Sequence, residues 1–177
     1  MKIIVADGYS ASSRADINLI SNKIRRTAIE LNLDFELFEV NSPWFCFPKI
    51  KIKRFLKKNP PSECKEIALF GKSFGAFILC ELIQSGVFTQ YETVRFVAID
   101  PHAPAGRADA FTPIDLSIHG PIIPTINIYQ VSKYPTGARI SGTTNILVTG
   151  VDHFSIVHSL AVKQQIAECL ARFKHDT

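Results

Sequence analysis

Short apolar runs alternate along the chain with longer stretches in which apolar positions recur every three or four residues. Residues 3–6 (Ile-Ile-Val-Ala) read as a buried strand, and Asp7-Gly8-Tyr9-Ser10 leaves it as a loop. From about Ser13 the spacing becomes helical. Ile17, Ile20, Ile24, Ala28 and Leu31 share one face, Ser13 and Asp16 are spaced as a capping box, and the pattern ends near Asn32. Residues 35–40 read as a second strand, and the helix between them predicts a parallel pair. Residues 67–70 (Ile-Ala-Leu-Phe) form a third strand. They run into Gly71-Lys72-Ser73-Phe74-Gly75 and then, without a break, into a helical stretch over 76–83 that Gly86 stops. Residues 93–99, 125–130 and 145–148 read as further strands, and 155 to about 173 as a closing amphipathic helix. Such alternation predicts an α/β fold with a mostly parallel sheet of about six strands flanked by helices.

Two stretches interrupt this rhythm. Residues 101–124 hold Pro101, Pro104, Pro113, Pro121 and Pro124, so regular structure is not expected there. An excursion of that length in a compact domain is functional or mobile, and it is expected to lie over a site. Residues 41–48 make a proline-bounded aromatic loop around Trp44. They read either as an apolar plug beneath the sheet or as an apolar contact with a substrate or membrane. Lys49 to Lys58 then interleaves cations with Ile50, Ile52, Phe55 and Leu56. That pattern fits the solvated face of a packed helix, and it also fits peripheral contact with an anionic membrane surface.

Composition narrows the class. At 177 residues, with 46% hydrophobic and 20% charged positions, the chain reads as one globular domain over 1–177. No apolar run is long enough to span a bilayer, and Asp7 comes too early for a signal peptide, so a cytoplasmic chain is expected unless a non-classical export route is used. A net charge of +4 does not indicate nucleic-acid binding. Cys46, Cys64, Cys80 and Cys169 are widely spaced, which argues against a zinc site or a disulfide framework. No metal, no organic cofactor and no obligate protein partner is implied.

The candidate chemistry centres on Ser73. Gly-x-Ser-x-Gly between a strand and a helix is the setting of a nucleophile elbow, in which close backbone approach requires Gly71 and Gly75 and lifts the hydroxyl clear of the sheet. A serine hydroxyl needs a base within hydrogen-bond reach and a carboxylate to hold that base. His153 is the candidate base, because it leaves the last predicted strand at the carboxyl edge of the sheet. His158 should point elsewhere from the following helix. His102 and His119 lie in the irregular segment and His175 in the tail, which makes them weaker candidates. No Asp or Glu occurs between Leu116 and Val151. The acid is therefore assigned to Asp100, which ends the strand after the elbow, with Asp109 and Asp115 as alternatives; Asp152 is too near His153 to orient its ring.

In this order, Ser73, Asp100, His153, the chain resembles a small member of the α/β-hydrolase family, in particular the lipases and esterases. The resemblance runs over nearly the whole length and implies a three-layer α/β-hydrolase-like fold. Ile99-Asp100-Pro101 is similar to lipases whose acid follows the strand after the elbow, and Ala6-Asp7-Gly8-Tyr9 stands where such enzymes have a His-Gly-aromatic loop. By that likeness the backbone N–H groups of Tyr9 and Phe74 form an oxyanion hole. Asp7 and Lys72 depart from the family pattern and are expected on the rim of the site. The implied activity is hydrolysis of a small-molecule or lipid acyl ester, a carboxylic ester hydrolase. The alternatives are a thioesterase or acyltransferase on the same residues, or a non-catalytic binding protein of the same fold.

Overall fold

The computed structural model of the protein describes residues 1–8, 13–40, 46–102, 114–115, 124–132 and 136–174, with backbone alone for 13–17, 46 and 114–115. Six strands form the main sheet: β1 (Lys2–Ala6), β2 (Glu36–Val40), β3 (Glu66–Lys72), β4 (Thr93–Ile99), β6 (Thr125–Tyr129) and β8 (Thr144–Leu147). Their spatial order is β2-β1-β3-β4-β6-β8, and every neighbouring pair is parallel. Among the described residues four α-helices accompany them: α1 (Ser13–Glu30), α2 (Cys46–Lys58), α3 (Phe74–Gln84) and α4 (Leu160–Ala171).

The unbroken apolar runs of the central strands follow from this arrangement, since a sheet covered on both faces leaves no position for water-facing residues. Along β1, Ile3 and Val5 face α1 and α4, whereas Ile4 and Ala6 face α2 and α3. All four are essentially inaccessible to solvent. Residues of β3 divide in the same way, with Ala68 and Phe70 on the first face and Ile67 and Leu69 on the second. Each large apolar side chain buried to this extent contributes about 1.5–3 kcal/mol from removal of apolar surface.

Two local features differ from the sequence reading. The stretch over 101–124 is not wholly irregular: β5 (Ile114–Asp115) pairs in parallel with β7 (Ile140–Ser141) in a separate two-stranded sheet. The closing helix is divided as well. Ser155–His158 forms a 3-10 turn, and Ser159, with ψ 151, breaks the helical path before accepting the N–H of Val162 and capping α4. Hydrophobic spacing runs smoothly through this break, so periodicity could not reveal it; the cap could have been read from Ser159. Trp44, Asp109, His119 and His175 lie outside the described residues. Among the described residues no helix is long and apolar enough to cross a membrane.

Candidate active site

All the strands of the main sheet point the same way, so the loops that follow them gather along one edge. At that edge β3 ends in Lys72-Ser73 and α3 starts at Phe74. Ser73 has φ 57 and ψ −130, a sparsely populated conformation for a residue with a side chain. Close packing enforces it. A Cβ on Gly71 would fall 2.5 Å from Ala76 Cα, and one on Gly75 would fall 2.3 Å from the Ala6 carbonyl. A hydrogen bond from Ser73 N–H to the Ile99 carbonyl, 2.9 Å long, ties the turn to β4. Serine in the N-cap position ordinarily accepts a helix N–H. The Ser73 side chain makes no such cap, and its hydroxyl turns instead to two imidazoles.

The first is that of His153. Its Nε2 lies 3.1 Å from Ser73 Oγ, and its Nδ1 lies 2.6 Å from Asp100 Oδ2. Asp100 is wholly buried, and its two oxygens also accept the backbone N–H of Gln130 at 3.0 Å and the Gln130 side-chain amide at 3.1 Å. A buried carboxylate held by several N–H groups has its direction fixed. With Nδ1 of His153 donating to that carboxylate, Nε2 is left as the acceptor that faces Ser73. Gln130 was not anticipated from the sequence. Its only signal is its place at the end of β6, next to the strand that carries Asp100.

The second imidazole belongs to a residue that is a weaker candidate by sequence. His102 Nε2 lies 2.8 Å from the same Ser73 Oγ, and its ring centroid is 5.1 Å from that of His153. The other histidine near the base is turned away: His158 is exposed in the 3-10 turn. Asp152 serves the loop, its Oδ1 accepting the N–H groups of Phe154 and Ser155 and the Ser155 hydroxyl. For Asp115 the structure gives only its place in β5.

Asp7 and Lys72, expected on the rim, are buried, at 3% and 2% exposure. Asp7 Oδ1 accepts the N–H of Gly8, and Lys72 Nζ lies 5.7 Å from the centre of the Phe154 ring. Phe154 is the exposed member of the group, 55% accessible and edge-on to His153. Gly8 closes over the nucleophile, where a Cβ would come 2.9 Å from Ser73 Oγ. The next residue, Tyr9, lies outside the described residues. Phe74 contributes the first N–H of α3, at the end of the helix whose dipole favours negative charge. Elsewhere, Cys80 and Cys169 are buried free cysteines, and burial pushes the Cys169 thiol up to about 12 and the Cys80 thiol higher still, so neither offers a thiolate.

No family model and no curated protein sequence matches the chain. Solved structures do. A protein from Agrobacterium vitis S4 described as a candidate hydrolase superposes with a TM-score of 0.66 at 13% identity, over 98% of this chain and 88% of the other. The esterase Pf2001 of Pyrococcus furiosus gives 0.59 at 15% identity, over 97% and 82%. A soluble variant of the monoglyceride lipase of Saccharomyces cerevisiae, solved with a substrate analogue, gives 0.60 at 12% identity, over 99% and 88%. Matched at these identities along nearly its whole length, and built on a parallel six-stranded sheet between two helical layers, this chain has the α/β-hydrolase fold.

Proposed function

We propose that the chain is a serine hydrolase that cleaves carboxylic esters through an acyl-enzyme. The observation that carries this reading is the hydrogen-bonded run from the Asp100 carboxylate, through both nitrogens of His153, to Ser73 Oγ on a strained turn. In the proposed reaction His153 Nε2 takes the hydroxyl proton as Ser73 Oγ bonds to the acyl carbon, and Asp100 stabilises the imidazolium that forms. The N–H of Phe74, with that of Tyr9, holds the oxyanion. His153 then protonates the departing alcohol. Water, deprotonated by the same nitrogen, attacks the acyl-enzyme and releases the acid. The exposed Phe154 ring offers an apolar contact for the substrate beside the base.

The test is covalent labelling by a fluorophosphonate, which Ser73→Ala should abolish; undiminished labelling of the variant would refute the nucleophile assignment. Hydrolysis of matched oxygen and sulfur esters, each with a graded acyl chain, then separates an esterase from a thioesterase.

The reading extends to an anionic lipid surface. Helix α2 packs on the core through Ile52, Phe55 and Leu56. It exposes Phe47 and Ile50 together with Lys51, Lys53, Arg54, Lys57 and Lys58, whereas Lys49 pairs with Glu81 at 2.7 Å. Apolar side chains set among exposed cations on one helix face suit the headgroup layer of an anionic membrane.

A further inference from the structure

We propose that His102 is a second catalytic imidazole, acting as a hydrogen-bond donor to the nucleophile and not as its base. The inference rests on the serine-hydrolase reading above and assigns a role that the three-residue scheme lacks. Its starting point is the proton count at one oxygen. Ser73 Oγ carries a single proton and lies within hydrogen-bond distance of two ring nitrogens, His153 Nε2 at 3.1 Å and His102 Nε2 at 2.8 Å. Because Asp100 occupies Nδ1 of His153 at 2.6 Å, that ring faces Ser73 with a lone pair and receives the hydroxyl proton. The shorter contact must then run the other way, from His102 Nε2–H to a lone pair of Oγ. The oxygen gives to one ring and accepts from the other.

The position of His102 is set by the backbone. Asp100 has φ 47, which turns the chain sharply at the end of β4. The turn is held on both sides, by Asp100 N–H to the Ile128 carbonyl and by Ala138 N–H to the Pro101 carbonyl, each 2.6 Å long. One strand end thus supplies both the carboxylate behind His153 and, two residues on, a second ring that reaches Ser73 Oγ beside it.

The chemical consequence follows the charge. As the hydroxyl proton moves to His153 Nε2, negative charge builds on Oγ, and a hydrogen bond to an ionised oxygen is about twice as strong as one to a neutral oxygen. The His102 N–H therefore favours the transition state over the ground state. When Oγ bonds to the acyl carbon, the electron pair of the C=O bond moves to the carbonyl oxygen and His102 stays on what is now an ester oxygen. In deacylation the Cacyl–Oγ bond breaks, Oγ leaves with the bonding pair, takes its proton back from His153, and again meets the His102 N–H. His102 neither gains nor loses a proton in the cycle. Charge on both rings at once, 5.1 Å apart, would oppose formation of the His153 imidazolium, so His102 acts as a neutral donor.

The experiment measures the second-order rate constant for modification of Ser73 by a fluorophosphonate in the wild-type protein and in His102→Ala, His102→Gln and His153→Ala, with far-UV circular dichroism to check folding. Gln places an amide N–H near the position of Nε2 but cannot act as a base. His102→Ala is expected to slow modification about 10²-fold, as loss of one donor to a developing oxyanion does. His102→Gln should stay within about fivefold of wild type, the scale of one neutral hydrogen bond. His153→Ala should lose about 10⁶-fold. A folded His102→Ala protein that reacts at the wild-type rate overturns the proposal and leaves the hydrolase reading standing; a wild-type protein inert to the reagent overturns both. If His102→Gln is as slow as His102→Ala while His153→Ala still reacts, His102 is the base and the donor assignment falls. Nitrogen-15 spectra of histidine-labelled wild-type protein give a check free of any variant: His102 Nε2 is expected to carry its proton, and a bare Nε2 overturns the proposal.

Discussion

Gly137 lies against Asp100 so closely that a Cβ on it would fall 1.9 Å from Oδ1 and 2.9 Å from Cγ of the carboxylate. The same glycine donates its N–H to the Gln130 carbonyl at 2.9 Å, and Gln130 in turn holds Asp100 through two N–H groups. The carboxylate is thus clamped between a backbone that cannot take a side chain and a glutamine that fixes both its oxygens.

Gly137→Ala is therefore expected to act on the chemistry through the acid. The methyl group must displace Asp100 or the 136–139 strand of loop, and a shift of about 1 Å at a catalytic group can cost about 10²-fold in rate. Overpacking of this kind also destabilises by about 1–3 kcal/mol. Turnover of a short-chain ester and the thermal midpoint, measured on the same preparation, check both. Full activity in the folded variant would show that Asp100 does not need this clamp.

Asp100→Asn removes the charge that holds His153. An amide presents N–H where the Gln130 and His153 donors need an acceptor, so the ring loses its enforced tautomer as well as its counter-charge. The rate should fall by about 10³- to 10⁴-fold with the fold retained. A loss of less than about tenfold would instead direct attention to Asp109 or Asp115 as the acid.

The part of the site that is contiguous in sequence was legible there. Ile67 to Gly75 contains the strand, both glycines and Ser73, and local sterics alone dictate the turn. Asp100 could be found because the chain between Leu116 and Val151 offers no other acid, and His153 because it follows a predicted strand. His102 is only a weaker candidate by sequence, for a physical reason. Its neighbours Pro101 and Pro104 mark an irregular segment, and the composition does not disclose that φ 47 at Asp100 folds residue 102 back over the elbow. Its one readable sign is that it stands two residues beyond the end of the strand adjacent to the elbow. Asp7 and Lys72 were misread as rim residues because a charged side chain next to a catalytic turn is expected to reach water, whereas both are covered here.

The exposed face of α2 makes a prediction of a different kind. The protein should sediment with vesicles containing phosphatidylserine at low salt and be released at high salt, since attraction between surface charges is screened over about 10 Å at 0.1 M. Replacing Lys51, Arg54 and Lys58 together by Gln should weaken the association by about 1 kcal/mol for each charge removed. Absence of binding to anionic vesicles at low salt would confine α2 to a structural part.

The order of the groups along the chain has one more consequence. His153 stands 80 residues beyond Ser73 and 53 beyond Asp100, so the hydrogen bonds that join the three groups need the last quarter of the chain in place. The sharp turn at Ser73 needs only β3, α3 and the strands beside them. On the proposed mechanism, a growing or partly unfolded chain would display an alcohol no more reactive than any other serine until the last quarter of the polypeptide has docked.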